Sequence, residues 1–184
     1  MSLVELIAQA DERGLAASGL ACLDRCVPLL GGDDEVLRPL WGSLAADGDT
    51  RTWGKLLDEA RGHLGGSAEP GDEAGDLARR MLSAAPAAWP DADVRVWADA
   101  CSVASLQIHR LLDAAADPAP VDAARAGGTQ EMSPLVAAEL RRQVTVLEVL
   151  AGHGTSGLRR ALEVTTEGRR VLRAVVSRRA RGRG

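Results

Sequence analysis

The sequence has no phenylalanine and no tyrosine, and its only aromatic residues are four tryptophans. Its apolar volume therefore comes mostly from alanine, leucine and valine, and alanine and leucine are among the best helix formers. Apolar residues recur at three- and four-residue spacing along most of the chain, as they do on the buried face of a helix. The 184 residues match the length of one domain. The sequence therefore predicts an all-α fold, a single-domain helical bundle of about seven or eight helices with no sheet.

Long apolar runs are also missing. No segment approaches the stretch of about 18 apolar residues that a membrane-spanning helix needs. The chain opens with Ser2 and Glu5 instead of the basic and apolar regions of a secretory signal. Its three cysteines, an odd number, are expected to be reduced thiols. These absences predict a cytoplasmic protein that has no disulfides and does not engage a membrane.

Glycine and proline mark the breaks between helices. Residues 65–75 and 117–129 lack apolar periodicity and predict connectors. One domain over 1–184 is the first interpretation. A subdivision into N-terminal helical hairpins at 1–64 and a C-terminal bundle at 76–180, followed by a flexible basic end at 181–184, stays open.

The longest regular pattern predicts a central helix from about Val94 to Leu111. On it, Ser105, His109 and Asp113 fall at successive four-residue steps, which superficially matches a nucleophile, a base and an orienting carboxylate. One helix face offers neither the required geometry nor an oxyanion hole. We therefore predict no catalytic residue here, and a polar face for these side chains.

Candidate metal and cofactor motifs are weak. Cys22 and Cys26 share a helix face, but no second ligand pair has matching spacing, so buried structural thiols are favoured. The acidic run 33–35 resembles the aspartate-rich motif of helical prenyl-phosphate enzymes, yet no second acidic motif follows, and the start of a third helix explains it. The glycine pairs lack a phosphate-loop lysine. The sequence predicts no metal and no cofactor.

Charge is distributed unevenly along the chain. From Ala138 onward eleven arginines face four glutamates, so this part carries +7 and residues 1–137 carry −11 of the whole-chain charge of −4. The basic end offers either a binding surface for an anionic partner or a counterpart for the chain's own acidic body. The candidate binding arginines of this end are Arg169, Arg170, Arg173, Arg178, Arg179, Arg181 and Arg183.

The segment 161–172, with the run Thr165, Thr166, Glu167, Gly168 and Arg169, resembles the wing strand and final helix of winged-helix transcription regulators. The likeness implies DNA binding. However, residues 151–158 leave no room for the recognition helix that precedes such a wing. No functional residue is carried over, and this segment is taken as part of a last helix over 158–180, with a break at 165–168.

Three functional interpretations remain. The first is a non-enzymatic interaction or regulatory module that binds another protein or a second copy through a helical surface or groove. The alternative is sequence-tolerant binding of nucleic acid by the C-terminal arginines. The third is a helical enzyme or small-molecule sensor, with a pocket or groove lined by Trp41, Trp53, Trp97 and His109.

Overall fold

The computed structural model describes residues 1–45, 49–66, 69–89, 92–114, 121–128 and 131–183, and within these ranges the chain forms α-helices and no strand. The predicted single-domain all-α bundle is confirmed, while its subdivision near residues 65–75 stays a prediction. The helices are α1 (Leu3–Gln9), α2 (Glu12–Arg25), α3 (Arg38–Ser43), α4 (Trp53–His63), α5 (Glu73–Ala84), α6 (Asp93–Leu112), α7 (Val121–Arg125), α8 (Pro134–His153) and α9 (Leu158–Gly182). In this described part, no helix is both long and apolar enough to cross a bilayer.

Side-chain caps determine where several helices begin. Ser2 and Glu5 form the predicted capping box of α1, in which the Ser2 hydroxyl accepts from the Glu5 amide and the Ser2 amide donates to the Glu5 carboxylate at 2.7 Å. Asp11 caps α2 by accepting from the Gly14 amide at 2.7 Å, and Asp72 caps α5 in the same way. Each cap satisfies an amide that has no partner within its helix.

Arginine side chains cap the C-terminal ends of three helices. Arg95 donates to backbone carbonyls at the end of α1, and Arg61 donates to those at the end of α5. Arg179, near the C-terminal end of α9, donates to the carbonyl of Leu111 in the last turn of α6 at 2.9 Å. A guanidinium suits these positions because the last carbonyls of a helix lack partners and carry partial negative charge.

Helix α2 lies at the centre of the bundle, where it packs against α6, α8 and α9 and is buried from Gly14 to Arg25. Gly19 allows the close approach of α6, because a Cβ atom there would lie 2.5 Å from the Trp97 ring. Trp97 in turn meets Trp53 edge to face, with ring centroids 6.4 Å apart. The tryptophans thus fill core volume that phenylalanine and tyrosine supply in most proteins.

Several predicted boundaries were wrong. The acidic run 33–35 precedes α3 and forms turns in which Asp33 accepts from the Glu35 amide, because Pro39 fits only the first helical turn. The apolar spacing from Leu20 to Leu30 predicts a second helix that ends at Gly31, but α2 ends at Arg25 and a 3₁₀ turn that contains Pro28 follows it. α7 lies inside the predicted connector 117–129, of which 121–128 is described.

The predicted break at 165–168 was also wrong. α9 continues through these residues, and the segment that resembles a wing strand is helical. α9 also reaches Gly182, two residues beyond the predicted end of this helix.

Candidate functional site

A charged pair lies in the centre of the bundle. The Arg25 Nε and Nη2 atoms of α2 each donate to the Glu139 carboxylate of α8 at 2.8 Å, and neither side chain has exposed surface. Ser105 of α6 and Gln143 of α8 also donate to Glu139, at 2.8 and 2.9 Å. The carboxylate is therefore held by donors from three helices, as a buried charge requires.

The surroundings keep this pair ionised. Burial by itself would raise the pKa of Glu139, but the Arg25 charge, together with the nearby donors, lowers it to about 2. Burial opposes the charge of Arg25 as well, and the Glu139 carboxylate outweighs it and raises the Arg25 pKa. Because both partners are sealed from solvent, the pair organises the core and offers no surface to a ligand.

Ser105, His109 and Asp113 are not linked as a catalytic triad. The Ser105 hydroxyl donates to Glu139, while His109 Nδ1 lies 2.7 Å from the backbone carbonyl of Ser105. His109 Nε2 faces Glu139 at 3.5 Å, and the Asp113 carboxylate accepts from the Leu135 amide at the start of α8. Burial is the main cause of the lowered pKa of His109. Arg25, Glu139, Gln143, Ser105 and His109 thus form one buried polar group, which we call the central cluster. His109 is buried there and does not lie on the predicted solvated or groove-lining face.

The three cysteines are free and buried, as predicted. Burial raises the pKa of the Cys22 thiol to about 12 and that of Cys101 well above its ordinary value. Thiols with such pKa values are poor nucleophiles and poor ligands. Across the described ranges, no group of three or more His, Cys, Asp and Glu side chains is arranged to hold a metal ion.

The tryptophans proposed as one pocket occupy different places in the core. Trp41 donates its indole N–H to Asp24, and Trp53 donates to the carbonyl of Pro86, both at 2.9 Å. Trp97 donates to the carbonyl of Met81 at 2.9 Å and forms part of the floor of a surface cleft between α5 and α6. Of the predicted pocket residues, Trp97 is the one that reaches this cleft.

The structure divides the predicted binding arginines into two groups, and the first group is engaged within the molecule. Arg169 is buried and binds Asp24 at 2.6 Å, and Arg173 pairs with Asp34. Arg179 caps α6. These contacts support the interpretation that part of the basic end neutralises the chain's own acidic body.

The second group consists of exposed arginines, and among the described residues none of their side chains has a hydrogen bond or ion pair. They are Arg170, Arg178, Arg181 and Arg183. With a rotation of about 100° per helical residue, the first three of them lie within an arc of about 80° on one side of α9. This side of the helix is available to an anionic partner.

A groove runs beside this surface. Its volume is about 630 Å³, and it lies between the end of α6, the start of α8 and the C-terminal half of α9. Arg178 and Arg179 stand at its edge, next to Val175 of the apolar wall. The other lining residues are Leu112, Asp113, Ala114, Pro134, Leu135, Ala138 and Val171. We call this site the α9 groove.

The sequence contains a weak signal for the central cluster. Apolar spacing predicts that Val136, Leu140, Val144 and Leu147, together with Val146, Val149 and Leu150, form a wide buried side of α8, but Leu140, Val144 and Val149 are only half-buried. The buried stripe of α8 runs through Glu139 and Gln143, which lie four residues apart. A polar pair at core spacing would have identified the cluster, although not its partner Arg25, which is 114 residues away in sequence.

Comparison with protein families, with curated proteins and with solved structures finds no match to this chain. The functional argument therefore depends on the residues described above.

Proposed function

We propose that this protein is a non-enzymatic interaction module that binds an acidic, amphipathic segment of another protein in the α9 groove. The observation that supports this proposal is the position of the exposed, unpaired guanidinium of Arg178 at the edge of an apolar groove. An amphipathic helix that lies in such a groove buries apolar side chains at helical spacing. Acidic residues on the same segment meet the basic edge.

The walls of the groove fit an apolar chain. Leu112, Leu135, Val171 and Val175 are only partly buried, so their remaining apolar surface becomes covered when a partner docks. The floor is held in place because Arg179 caps α6 and Asp113 accepts from the amide at the start of α8. A groove that is already formed loses little conformational entropy on binding.

Nucleic acid is the alternative partner, and the charges favour it less. The exposed arginines are spread along the helix, and Glu163 and Glu167 lie within about 60° of Arg170 around α9. The arginine-rich part of the chain, residues 169–183, has no aromatic side chain on which a base could stack. An acidic protein segment uses both the apolar groove and its basic edge, whereas a phosphate backbone uses the arginines alone.

A synthetic peptide tests the proposal directly. The probe is a fluorescein-labelled helical peptide with leucines on one face and glutamates on the other, and its matched control has lysine in place of each glutamate. Anisotropy titration of the full chain is expected to show binding of the glutamate peptide, with the lysine peptide weaker by at least about tenfold, or ~1.4 kcal/mol. Equal binding of the two peptides would contradict the charge argument.

Two substitutions that add the same charge locate the binding site. Val175→Glu places a charge in the groove and is expected to weaken peptide binding by at least about tenfold. Ala151→Glu adds this charge at an exposed position near the far end of α8, about 20 Å along the helix from the groove residue Ala138, and less than about twofold change is expected there. Equal effects of the two variants would overturn the proposal. Steeply salt-dependent binding of a DNA duplex, with no binding of either peptide, would overturn it in favour of nucleic acid.

A further inference from the structure

A second concave site lies on another face of the molecule, between α5 and α6. Its volume is about 350 Å³, and its floor is formed by the buried side chains of Met81, Trp97 and Cys101. The remaining lining residues are Leu77, Arg80, Ala84, Ala100, Val103, Ala104 and Gln107. We call it the α5/α6 cleft. Its volume lies at the small end of the range for ligand pockets.

The floor of the cleft is firmly held. The Trp97 indole N–H donates to the Met81 carbonyl at 2.9 Å, which joins the two helices beneath the cleft. The six-membered ring of Trp97 also packs against Gly19 of α2, where a Cβ would be 2.5 Å away, so α2 restricts movement of the indole. A ligand would therefore meet a preformed aromatic surface.

Two of the residues that line the cleft have polar side chains. Arg80 is exposed and Gln107 is half-buried, and in the described part of the chain neither side chain forms a hydrogen bond or ion pair. The neighbouring Arg79, by contrast, binds Asp76 at 2.5 Å. A guanidinium without a partner beside an apolar cleft is matched to a carboxylate, which it binds through two parallel hydrogen bonds.

We infer that the α5/α6 cleft binds a small aliphatic carboxylate of medium chain length. The hydrocarbon chain packs on Trp97 and Met81, and the carboxylate pairs with Arg80 while Gln107 donates a further hydrogen bond. The lining is almost entirely apolar, and the exposed Arg80 supplies the charged group that would orient a ligand there, as a few polar groups do in small-molecule sites. This site is separate from the α9 groove, and its test does not depend on the proposed function.

Decanoate is the probe, and decanol is its control without a charge. In ¹H–¹⁵N spectra of the full chain, decanoate is expected to shift the indole N–H signal of Trp97, which Trp97→Phe assigns. Decanol is expected to bind at least about tenfold more weakly, because it lacks the partner of Arg80. Absence of any decanoate-dependent shift at Trp97 would overturn the inference.

Three variants distinguish binding in the cleft from the effect of removing a positive charge anywhere on the surface. Arg80→Gln is expected to weaken decanoate binding by at least about tenfold, whereas Arg141→Gln removes the same charge from an exposed position on α8 and is expected to leave decanoate binding unchanged. Ala100→Met fills the cleft from an exposed wall position and should abolish binding without unfolding the chain. Equal effects of Arg80→Gln and Arg141→Gln would contradict the carboxylate site. Sedimentation that shows a dimer, dissociated by Val103→Glu, would show instead that a second copy covers the cleft.

Discussion

Arg25 and Arg178 carry the same guanidinium group in opposite surroundings. Arg25 has no exposed surface and donates twice to Glu139, whereas Arg178 is exposed at the edge of the α9 groove and pairs with no described residue. Both lie on helices and in segments where apolar residues recur. The comparison teaches that arginine content alone does not identify a binding surface, because the position of each residue relative to the core determines whether it stabilises the fold or faces a partner.

The same substitution at both kinds of position tests this contrast most strongly. Arg25→Met is expected to lower the free energy of unfolding by ~3–5 kcal/mol, because Glu139 then remains buried as an unpaired charge. Arg170→Met, at an exposed arginine of α9, is expected to change it by less than ~0.5 kcal/mol. Urea denaturation followed by circular dichroism measures both values.

The double variant Arg25→Met/Glu139→Met provides the control for this experiment. It removes both charges and is expected to be more stable than Arg25→Met alone. If the double variant loses as much as the two single variants together, the pair is not coupled in the way the structure indicates.

The second-largest expected effect is that of acid, which should lower the free energy of unfolding through His109 and Glu139 of the central cluster. The pKa of His109 is lowered in the folded state, so its contribution to stability is present above its ordinary pKa of 6.5 and declines as the pH falls below that value. The pKa of Glu139 falls from 4.5 to about 2 on folding. Its contribution, on the order of 3 kcal/mol, is therefore complete above pH 4.5 and is lost as the pH falls from 4.5 towards 2.

Asp24 acts in the opposite direction, because burial raises its pKa and the folded state then binds a proton more readily than the unfolded chain. The measurement is the urea midpoint at a series of pH values. The variant Arg25→Met/Glu139→Gln lacks the titrating pair and is expected to show a shallower loss below pH 4.5. An equal loss in this variant would assign the acid sensitivity to other groups.

A methyl group tests the packing around the same centre. A Cβ at Gly168 of α9 would lie 2.5 Å from the Cδ atom of Arg25 and 2.9 Å from that of Arg142. Gly168→Ala is therefore expected to cost ~1–3 kcal/mol of stability through overpacking. Gly62→Ala in α4 is the matched control, since nothing lies within 4 Å of its Cβ position. Gly62→Ala is expected to increase stability by up to ~1 kcal/mol. A gain in stability at both sites would show that the side chains around Gly168 shift to accommodate the added methyl group.

The sequence predicts the long helices well, because their patterns are repeated over many turns. α6 was expected from Val94 to Leu111 and is observed from Asp93 to Leu112. Short elements were harder to predict. α3 and α7 have six and five residues, so each has too few turns to show a period, and tertiary packing determines where they lie.

The candidate site was predictable only in part. Arg178 belonged to the predicted binding set, and its exposure follows from its place in a helix that ends in arginines. The burial of Arg169 did not follow, because its partner Asp24 is 145 residues away in sequence. Neither the α9 groove nor the α5/α6 cleft corresponds to a local sequence pattern, because the residues that form each site come from different segments and meet only in the folded chain.

The long sequence separation of these pairs also has a consequence for synthesis. Asp24 and Arg25 are adjacent on α2, yet their partners Arg169 and Glu139 are made 145 and 114 residues later. A chain that leaves the ribosome from its N-terminus holds α2 with both charges unpaired until α8 and then α9 emerge. The innermost helix of this bundle is thus among the first to be made, and its burial is completed last.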